Sequence, residues 1–336
     1  MAGYPVVLLP GDGIGPEITE ATREVLGATG VEIDWRPFET GMAALEKTGT
    51  PLPDEVVEEI RRCGVALKGP ITTPVGTGFS SVTVALRQRL DLYANLRPVR
   101  SIPGVPARYS DVDLVIVREN TEDLYAGIEY RIDEDTVVAE KRITRPASLR
   151  IARFAFDYAS RYGRRQITAV HKANILKMSD GLFLQCAREV AGQYPQVQYT
   201  ERIVDALCMD LVLDPGRHDV LLCPNLYGDI VSDLAAGLVG GLGLAPAANV
   251  GDGVAVFEAV HGSAPDIAGK GIANPTALIL AGAMMLTYLG ESAAAARVEQ
   301  AILETYRQGT AHLTPDVGGK GTTRSFTDTV LSYLEE

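Results

Sequence analysis

The chain has 336 residues, of which 46% are hydrophobic and 22% are charged, and its net charge is −12. This length is sufficient for about two domains, each with its own core. The acidic balance argues against nucleic acid as a partner. No apolar run reaches the roughly 18 residues that span a bilayer, so we expect no membrane partner.

The cysteines indicate the redox compartment, and the early start of the first strand indicates the location. The four cysteines are widely spaced without a C-x-x-C pair, and the four histidines show no zinc-ligand spacing. This pattern favours reduced thiols over a disulfide framework or a zinc site. The first strand pattern begins within about five residues of Met1, which predicts no targeting peptide and a cytoplasmic location.

The first motif is "PVVLLPGDGIGPEI", residues 5–18. A strand is predicted over 6–9, and Gly11, Gly13 and Gly15 follow it. A Rossmann fingerprint requires G-x-G-x-x-G after the strand, but Pro16 stands at the third glycine position and has no N–H to offer. We therefore predict a tight strand-to-helix turn here rather than a standard dinucleotide site.

Strand and helix patterns alternate along the chain. Strands are predicted over 6–9, 65–67, 114–117, 167–170 and 220–222, and helices over 17–26, 53–61, 147–162 and 181–193. This alternation predicts an α/β fold with a substantially parallel sheet. Residues 127–144 instead alternate apolar and polar side chains around an acidic turn, which predicts a β-hairpin. An isolated hairpin is marginally stable, so we expect it to dock on another surface, such as a second subunit.

Arginines are concentrated in "LRQRLDLYANLRPVR", residues 86–100. Arg87, Arg89, Arg97 and Arg100 lie in this segment, and Arg118 ends an apolar strand further along. Because arginine pairs with carboxylates through two parallel hydrogen bonds, converging arginines predict a site for a di- or tricarboxylate. The alternative is a solvated basic helix face, which the apolar context of Arg118 disfavours.

Acidic side chains suggest a metal site. Asp229 and Asp233 are four residues apart near a predicted helix start, so both carboxylates project from one face. A hard cation such as Mg²⁺ or Mn²⁺ would offset their repulsion, although acids at a helix N-terminus also complement the helix dipole. Asp205, predicted to close an apolar strand, is a third candidate ligand.

Two proton carriers and one loop complete the candidate chemistry. Tyr125 and Lys172 could act as acid and base, although each residue type is more often structural. Residues 261–277 form a loop of small residues that would let a flat ligand approach the backbone. In this loop Asp266 would bind ribose hydroxyls and repel a 2′-phosphate, favouring NAD over NADP. An ordinary surface loop is the alternative.

Together these segments resemble the β-decarboxylating dehydrogenases, which act on isocitrate, homoisocitrate or 3-isopropylmalate. The resemblance covers nearly the whole chain and is nearest to the NAD-dependent isocitrate dehydrogenases. It is carried by the motifs "GDGIGPE", "KGPITTPVG", "LRQRLDLYANLRPVR", "VIVRENTEDLYAG", "VHKANILKMSDG", "PNLYGDIVSDLAAGLVGGLG", "VHGSAPDIAGKGIANPTA" and "GGKGTT".

The resemblance implies a two-domain fold and a role for each motif residue. Residues 1–98 and 246–336 would form a large domain and 99–245 a small domain, whose hairpin 127–144 clasps a partner subunit. Tyr125 and Lys172 would be catalytic. The implied substrate-binding residues are Ser81, Thr83, Arg87, Arg97 and Arg118; the metal ligands are Asp205, Asp229 and Asp233; and the NAD-binding residues are Thr72, His261, Gly262, Ser263, Ala264, Pro265, Asp266, Ile267 and Asn274.

The implied activity is NAD-dependent oxidative decarboxylation of isocitrate with Mg²⁺ or Mn²⁺. Lys172 and Asp205 would come from the neighbouring chain, so a homodimer or higher homo-oligomer is implied. Asp266 and Ile267 stand where NADP-using relatives carry lysine and tyrosine. Thr83 departs from the asparagine common in isocitrate-specific relatives, which leaves homoisocitrate as the alternative substrate. A non-catalytic regulatory subunit is a further alternative, although it would be expected to lack some of these groups.

Overall fold

A computed structural model describes residues 3–74 and 81–335. The strands are β1 Tyr4–Leu9, β2 Ile33–Pro37, β3 Val65–Lys68, β4 Ala94–Arg100, β5 Asp113–Glu119, β6 Glu129–Arg131, β7 Val137–Ala139, β8 Gln166–His171, β9 Gln198–Ile203, β10 Val220–Cys223, β11 Pro246–Gly251 and β12 Val254–Ala259. The helices are α1 Gly15–Gly27, α2 Met42–Thr48, α3 Asp54–Cys63, α4 Val82–Arg89, α5 Arg145–Arg161, α6 Ser179–Ala191, α7 Val204–Leu213, α8 Asn225–Leu238, α9 Thr276–Tyr288, α10 Ser292–Arg307 and α11 Thr323–Glu335.

Ten of these strands form one sheet in the order β2-β1-β3-β12-β11-β4-β5-β10-β8-β9. The outer strands pair in parallel on both sides, whereas β12, β11, β4 and β5 are joined by antiparallel pairings in the middle. Each predicted strand and helix is present with boundaries within a few residues. The predicted α/β fold is confirmed.

The middle strands separate two faces of the sheet. Because successive side chains on a strand point to opposite faces, Asn95 and Arg97 of β4 lie on one face and Leu96 on the other. On β11, Asn249 shares the first face, where it bonds to Asn95. The polar face of these two strands therefore forms the floor of the candidate site described below.

Hydrophobic cores lie on both sides of this junction. Residues from both ends of the chain, such as Leu8, Phe257 and Phe326, form one core. Residues from the middle of the chain, such as Phe156 and Phe183, form another. The division follows the expected domain boundaries approximately, but the sheet is continuous through both parts, and the two-domain organisation stays a prediction.

The glycine-rich turn between β1 and α1 supports a second loop. Gly13 has φ +60°, and a Cβ atom there would lie 2.0 Å from the carbonyl oxygen of Ser263. The next residue, Ile14, donates its N–H to that same oxygen at 2.9 Å. Pro16 sits in the first turn of α1, where its missing N–H costs no helical hydrogen bond. The motif is thus a tight turn, as predicted. Its glycines permit close contact with the loop before α9, which ends at residue 275 and is called the 261–275 loop below.

Three local features refine the sequence expectations. The hairpin is confirmed as β6 paired with β7. Asp205 does not close an apolar strand but lies in the first turn of α7, after the edge strand β9. Asp229 and Asp233 lie inside α8 rather than at its first turn, so complementing the helix dipole does not account for them. None of the helices in the described residues has the length and apolar character needed to cross a bilayer.

Candidate active site

Arg87 is the first of three buried arginines on the polar face of the middle strands. It lies in the last turn of α4, whose N-cap is Ser81 and whose first turn contains Thr83. Its Nε donates to Asn249 Oδ1 at 2.9 Å and its Nη2 donates to Glu258 at 3.1 Å. The helix thus brings Ser81, Thr83 and Arg87 to the same side of the sheet.

Glu258 is shared between two cations. Lys68 Nζ lies 2.7 Å from one carboxylate oxygen of Glu258, while Arg87 contacts the other. Burial alone would raise the pKa of Glu258, but the adjacent Lys68 and Arg87 hold it well below its usual range. The group is therefore an ionised carboxylate that fixes both cations.

Asn249 connects this cluster to the next arginine. Its side-chain oxygen accepts hydrogen bonds from three buried donors: Arg87 Nε at 2.9 Å, Asn95 Nδ2 at 2.7 Å and Asn120 Nδ2 at 3.0 Å. Its Nδ2 donates to Glu258 at 2.7 Å. Asn95 in turn accepts from Arg97 Nε at 2.7 Å. A continuous buried network therefore joins Arg87 to Arg97.

Arg97 reaches across to helix α8. Its Nη1 donates to Ser232 Oγ at 2.6 Å and lies 3.4 Å from Asp233, and its Nη2 lies 3.4 Å from Asp229. Burial lowers the pKa of Arg97, and the nearby Arg87 lowers it further, while the aspartates oppose the change. Two of the three predicted metal ligands, Asp229 and Asp233, are thus neighbours of this predicted substrate arginine.

Arg118 is the third arginine and is fully buried. Its Nε donates to Asn225 at 2.9 Å and its Nη1 pairs with Asp229. Burial lowers the pKa of Arg118 to about 10, with Arg97 adding to the effect, so the guanidinium stays charged at neutral pH. Its Nη2 has no hydrogen-bond partner among the described residues, which is uncommon for a buried donor.

Tyr125 completes this cluster. It lies in a short turn, Leu124–Ala126, and its hydroxyl donates to Asp229 Oδ2 at 2.5 Å. The guanidinium of Arg118 lies 4.9 Å from the centre of its ring. Burial raises the pKa of Tyr125, and Asp229 raises it further, so the phenol holds its proton at neutral pH.

Lys172 and Asp205 form a separate pair. Lys172 follows β8 and its ammonium contacts the Asp205 carboxylate, while its backbone N–H donates to the buried Asp180 at 2.6 Å. The hydrogen bond from Lys172 lowers the pKa of Asp205. Among residues 3–74 and 81–335, no three His, Cys, Asp or Glu side chains are grouped to hold a metal ion. Asp205 therefore does not join Asp229 and Asp233 within one chain.

The carboxylates of α8 fit a hard divalent cation. Asp229 and Asp233 expose 35% and 52% of their side chains, so both can be reached from outside. Burial raises the pKa of Asp233 and the neighbouring Asp229 adds to the increase, although Arg97 opposes it. Carboxylate oxygens are preferred ligands of Mg²⁺ and Mn²⁺, and such a cation would offset the repulsion between the two acids.

The predicted nucleotide loop lies against the glycine-rich turn. Thr72 Oγ1 is 2.7 Å from Ser263 Oγ, and the Thr72 N–H donates to Asp12 at 2.9 Å. Ala264 adopts φ +38°, which is uncommon for a residue with a side chain. The other predicted NAD-binding residues of this segment are neighbours of Ser263 in the sequence: His261, Gly262, Ala264, Pro265, Asp266 and Ile267. Of these, Gly262, Pro265 and Asp266 are exposed.

Two predicted members of this loop are held by the protein itself. Burial lowers the pKa of His261, whose Nδ1 lies 2.9 Å from the Gly262 carbonyl oxygen. Asn274 is buried and its Nδ2 donates to Asp316 at 2.9 Å. The side chain of Asn274 therefore shapes the base of the loop, and its contact with adenosine stays a prediction.

Sequence reasoning missed the groups that support the arginines, namely Lys68, Glu258 and Asn249. Lys68 and Glu258 each end or interrupt an otherwise apolar strand. The same signal identified Arg118 and would have found both residues. Asn249 gave no such signal, because its importance depends on which strands are neighbours.

Comparison with known proteins identifies the family of the chain. The sequence profile of the isocitrate/isopropylmalate dehydrogenase family matches residues 5–330. The chain belongs to this family, as its motifs predicted. It is 52% identical over 328 residues to the mitochondrial NAD isocitrate dehydrogenase catalytic subunit 5 of Arabidopsis thaliana, covering 97% of this chain and 87% of the relative.

Two further relatives broaden the comparison. A chloroplastic 3-isopropylmalate dehydrogenase of Solanum tuberosum is 51% identical over 303 residues, covering 90% of this chain and 85% of the relative. The crystal structure of isocitrate dehydrogenase from Methylococcus capsulatus superposes on this chain with a TM-score of 0.97 at 52% identity. The superposition covers 99% of this chain and 100% of the Methylococcus chain. The chain is therefore similar in sequence to relatives named for different substrates and similar in fold to an isocitrate dehydrogenase.

Proposed function

We propose that this chain catalyses the NAD⁺-dependent oxidative decarboxylation of isocitrate to 2-oxoglutarate and CO₂. The observation that carries the proposal is that buried Arg97 and Arg118 contact the partly exposed aspartates of α8, while buried Arg87 is joined to Arg97 through Asn249 and Asn95. A chain with a net charge of −12 attracts a tricarboxylate only where such a cluster locally reverses the field. Similarity to the Arabidopsis NAD isocitrate dehydrogenase supports the same reaction.

The arginines would bind the substrate carboxylates. Arg87, Arg97 and Arg118 are held by Glu258, Asn249, Asn95 and Asn225, so their positions are fixed before substrate arrives. Pre-positioned donors cost little reorganisation when charge develops. Ser81 and Thr83, at the start of α4, would contact the distal carboxylate.

Two groups would move protons. Tyr125 holds its proton at neutral pH because burial and Asp229 raise its pKa, which suits an acid that protonates the substrate carbon after CO₂ leaves. Lys172, contributed by a neighbouring subunit, would serve the proton relay at the substrate hydroxyl: its neutral amine would accept the hydroxyl proton, and the ammonium so formed would release a proton to water. The contact between Lys172 and Asp205 orients this side chain on that subunit.

Asp229 and Asp233, with Asp205 of a neighbouring subunit, would hold Mg²⁺ or Mn²⁺. When bound, the metal would stabilise negative charge on the substrate's hydroxyl oxygen and on the enolate that decarboxylation produces. Arg97 and Arg118 already contact Asp229, and they would limit the net charge of the ligand set. Removal of divalent cations with a chelator should therefore abolish activity.

The 261–275 loop and Thr72 would bind NAD. Asp266 is exposed on this loop, and its carboxylate would accept hydrogen bonds from ribose hydroxyls while repelling the 2′-phosphate of NADP. Two contacts of Ser263 would keep this loop in place: its carbonyl oxygen accepts the N–H of Ile14 in the β1–α1 turn, and its hydroxyl hydrogen-bonds to that of Thr72.

The protein would act as a homodimer or a higher homo-oligomer. Large apolar side chains are exposed on the hairpin, after β8 and on α7, as illustrated by Ile132 at 64%, Met178 at 90% and Leu213 at 68% exposure. Contiguous exposed apolar surface is typical of protein interfaces. Lys172 and Asp205 lie in these same segments, which supports a site shared between subunits. A cytoplasmic location stays a prediction.

Homoisocitrate is the second candidate substrate, because Thr83 would reach less far toward a distal carboxylate than the asparagine of isocitrate-specific relatives. One methylene is worth only about 1–3 kcal/mol of discrimination. Because the chain is also similar to a 3-isopropylmalate dehydrogenase, 3-isopropylmalate must be compared as a substrate as well.

The test is kcat/KM for isocitrate, homoisocitrate and isopropylmalate, each with NAD⁺ and with NADP⁺, on the purified chain alone. We expect isocitrate with NAD⁺ to give the highest kcat/KM. An Asp266→Lys variant should have a smaller ratio of kcat/KM with NAD⁺ to kcat/KM with NADP⁺. A higher value for either other acid would overturn the substrate assignment. Absence of activity from the pure chain would favour a regulatory subunit.

A further inference from the structure

A cleft of about 920 Å³ lies on the face of the sheet opposite the candidate active site. On β4, Asn95 and Arg97 belong to the active-site network, whereas Leu96, Pro98 and Arg100 line this cleft. Since neighbouring side chains on a strand point to opposite faces, the two sites are separated by the thickness of the sheet. The same alternation holds on β11, where Ala248 and Val250 line the cleft on either side of Asn249.

The cleft lies between elements from both parts of the chain. One wall is α5, whose residues 150, 153, 154, 157, 158 and 161 share a helix face and line the cleft. The other wall is formed by Met284, Thr287 and Tyr288 of α9 and by Glu299 of α10. An occupant would therefore contact the middle and the C-terminal parts of the chain together.

The charge of the lining favours an anion. It includes Arg100, Arg150, Arg153 and Arg161 against only Asp157 and Glu299. Arg100 and Arg150 pair with Asp113 and Asp91 outside the lining. Among the described residues, neither Arg153 nor Arg161 forms an ion pair. In a chain of net charge −12, two such guanidinium groups at a cleft are available to an acidic ligand.

Aromatic rings supply the rest of the lining. Tyr93 stacks under Arg150 at 4.1 Å and meets Phe154 edge-on at 6.1 Å. Across the cleft, Phe257 and Tyr288 meet at 5.7 Å. Ligand sites typically occupy roughly 300–1,000 Å³ between structural units and combine apolar or aromatic walls with a few charged groups. This cleft has those properties.

We propose that the cleft binds a planar aromatic anion. Its ring packs among Tyr93, Phe154 and Tyr288, and its acidic groups pair one each with Arg153 and Arg161, which lie eight residues, about 12 Å, apart on α5. The proposal does not depend on the identity of the substrate at the active site, because the two sites lie on opposite faces of the sheet.

The test uses isothermal titration calorimetry on the full chain with naphthalene-1,5-disulfonate as the probe. We expect one site per chain, and binding at least about tenfold weaker for inorganic sulfate and for 1-naphthol, which carry the charge or the ring alone. The affinity should be unchanged by saturating isocitrate with Mg²⁺ or by NAD⁺. Displacement by any of these would show binding at the catalytic face and overturn the proposal.

The variants locate the site. An Arg153→Ala/Arg161→Ala double variant should bind the disulfonate at least about tenfold more weakly. The matched control is Arg165→Ala, which removes an exposed arginine that does not line the cleft. The thermal unfolding midpoint of each variant checks that it is folded. Equal affinity of the double variant and the control would overturn the proposal, as would equal binding of sulfate alone.

Discussion

Arg118 illustrates how single residues carry the chemistry of this fold. A fully buried guanidinium is costly unless its donors are satisfied, and here Asn225 and Asp229 satisfy two of its three nitrogens. The third nitrogen has no partner among the described residues. A buried donor left unpaired by the protein fits the proposed role of Arg118 in binding a substrate carboxylate.

Asn249 allows a test at the same scale. Replacing it with alanine leaves the side-chain donors of Arg87, Asn95 and Asn120 without their shared acceptor. A buried unpaired donor costs about 1–3 kcal/mol, so we expect Asn249→Ala to lower the free energy of unfolding by about 2–4 kcal/mol. The KM for isocitrate should rise as Arg87 and Arg97 lose support.

Urea denaturation measures the change in the free energy of unfolding of Asn249→Ala, and steady-state kinetics measure the change in its KM for isocitrate. The control is Gln196→Ala, which removes an exposed hydrogen bond from the Gln196 side-chain amide to Ser160 Oγ and should change the free energy of unfolding by less than about 0.5 kcal/mol. Equal stability losses in the two variants would contradict the role given to Asn249.

At the level of elements, helix α8 carries much of the site on one face. Asn225, Asp229, Ser232 and Asp233 contact the arginines from successive turns. Gly228 lies between them, and a Cβ atom there would be 2.7 Å from Cγ of Arg118. The helix can therefore approach β5 closely only because this position has no side chain.

A Gly228→Ala variant tests this packing. The added methyl group must displace Arg118 or α8, and overpacking of this kind costs about 1–3 kcal/mol. We expect kcat/KM for isocitrate to fall at least about tenfold. Gly237→Ala is the matched control, because it lies on the same helix with no atom within 4 Å of its added Cβ. It should be neutral or slightly stabilising. Similar kinetics in both variants would show that Gly228 does not position Arg118.

Part of the set of elements was predicted from sequence, including strand β5 and a helix start near Asp229, whereas β4, β11 and β12 in the middle of the sheet were not. Arg118 was identified as a charge in an apolar strand. The role of Asn249 was not predictable, because it depends on β11 and β4 being neighbours although they are far apart in sequence. Asp205 was predicted to close an apolar strand, but β9 ends at Ile203 and Asp205 lies in the first turn of α7.

At the scale of the whole molecule, the antiparallel pairing of β11 with β4 joins two parallel regions into one sheet. The alternation of predicted elements indicated an α/β fold but not this order of strands. The order explains why Arg97 of β4 and Arg118 of β5 contact Asp229 of α8 on the face of the sheet where Arg87 binds Asn249. It also leaves Lys172 and Asp205 as a pair separate from Asp229 and Asp233, which is the basis for expecting a second chain at each site.

Mixing inactive variants measures that sharing directly. Lys172→Ala and Tyr125→Phe chains should each be nearly inactive alone. After mixing and reassociation, we expect about a quarter of wild-type activity, since half of the dimers are hybrids and each hybrid holds one intact site. A chain carrying both substitutions, mixed with either single variant, should restore nothing. Hybrid dimers that form, as detected by native mass spectrometry, yet remain inactive would contradict a catalytic centre built from two chains.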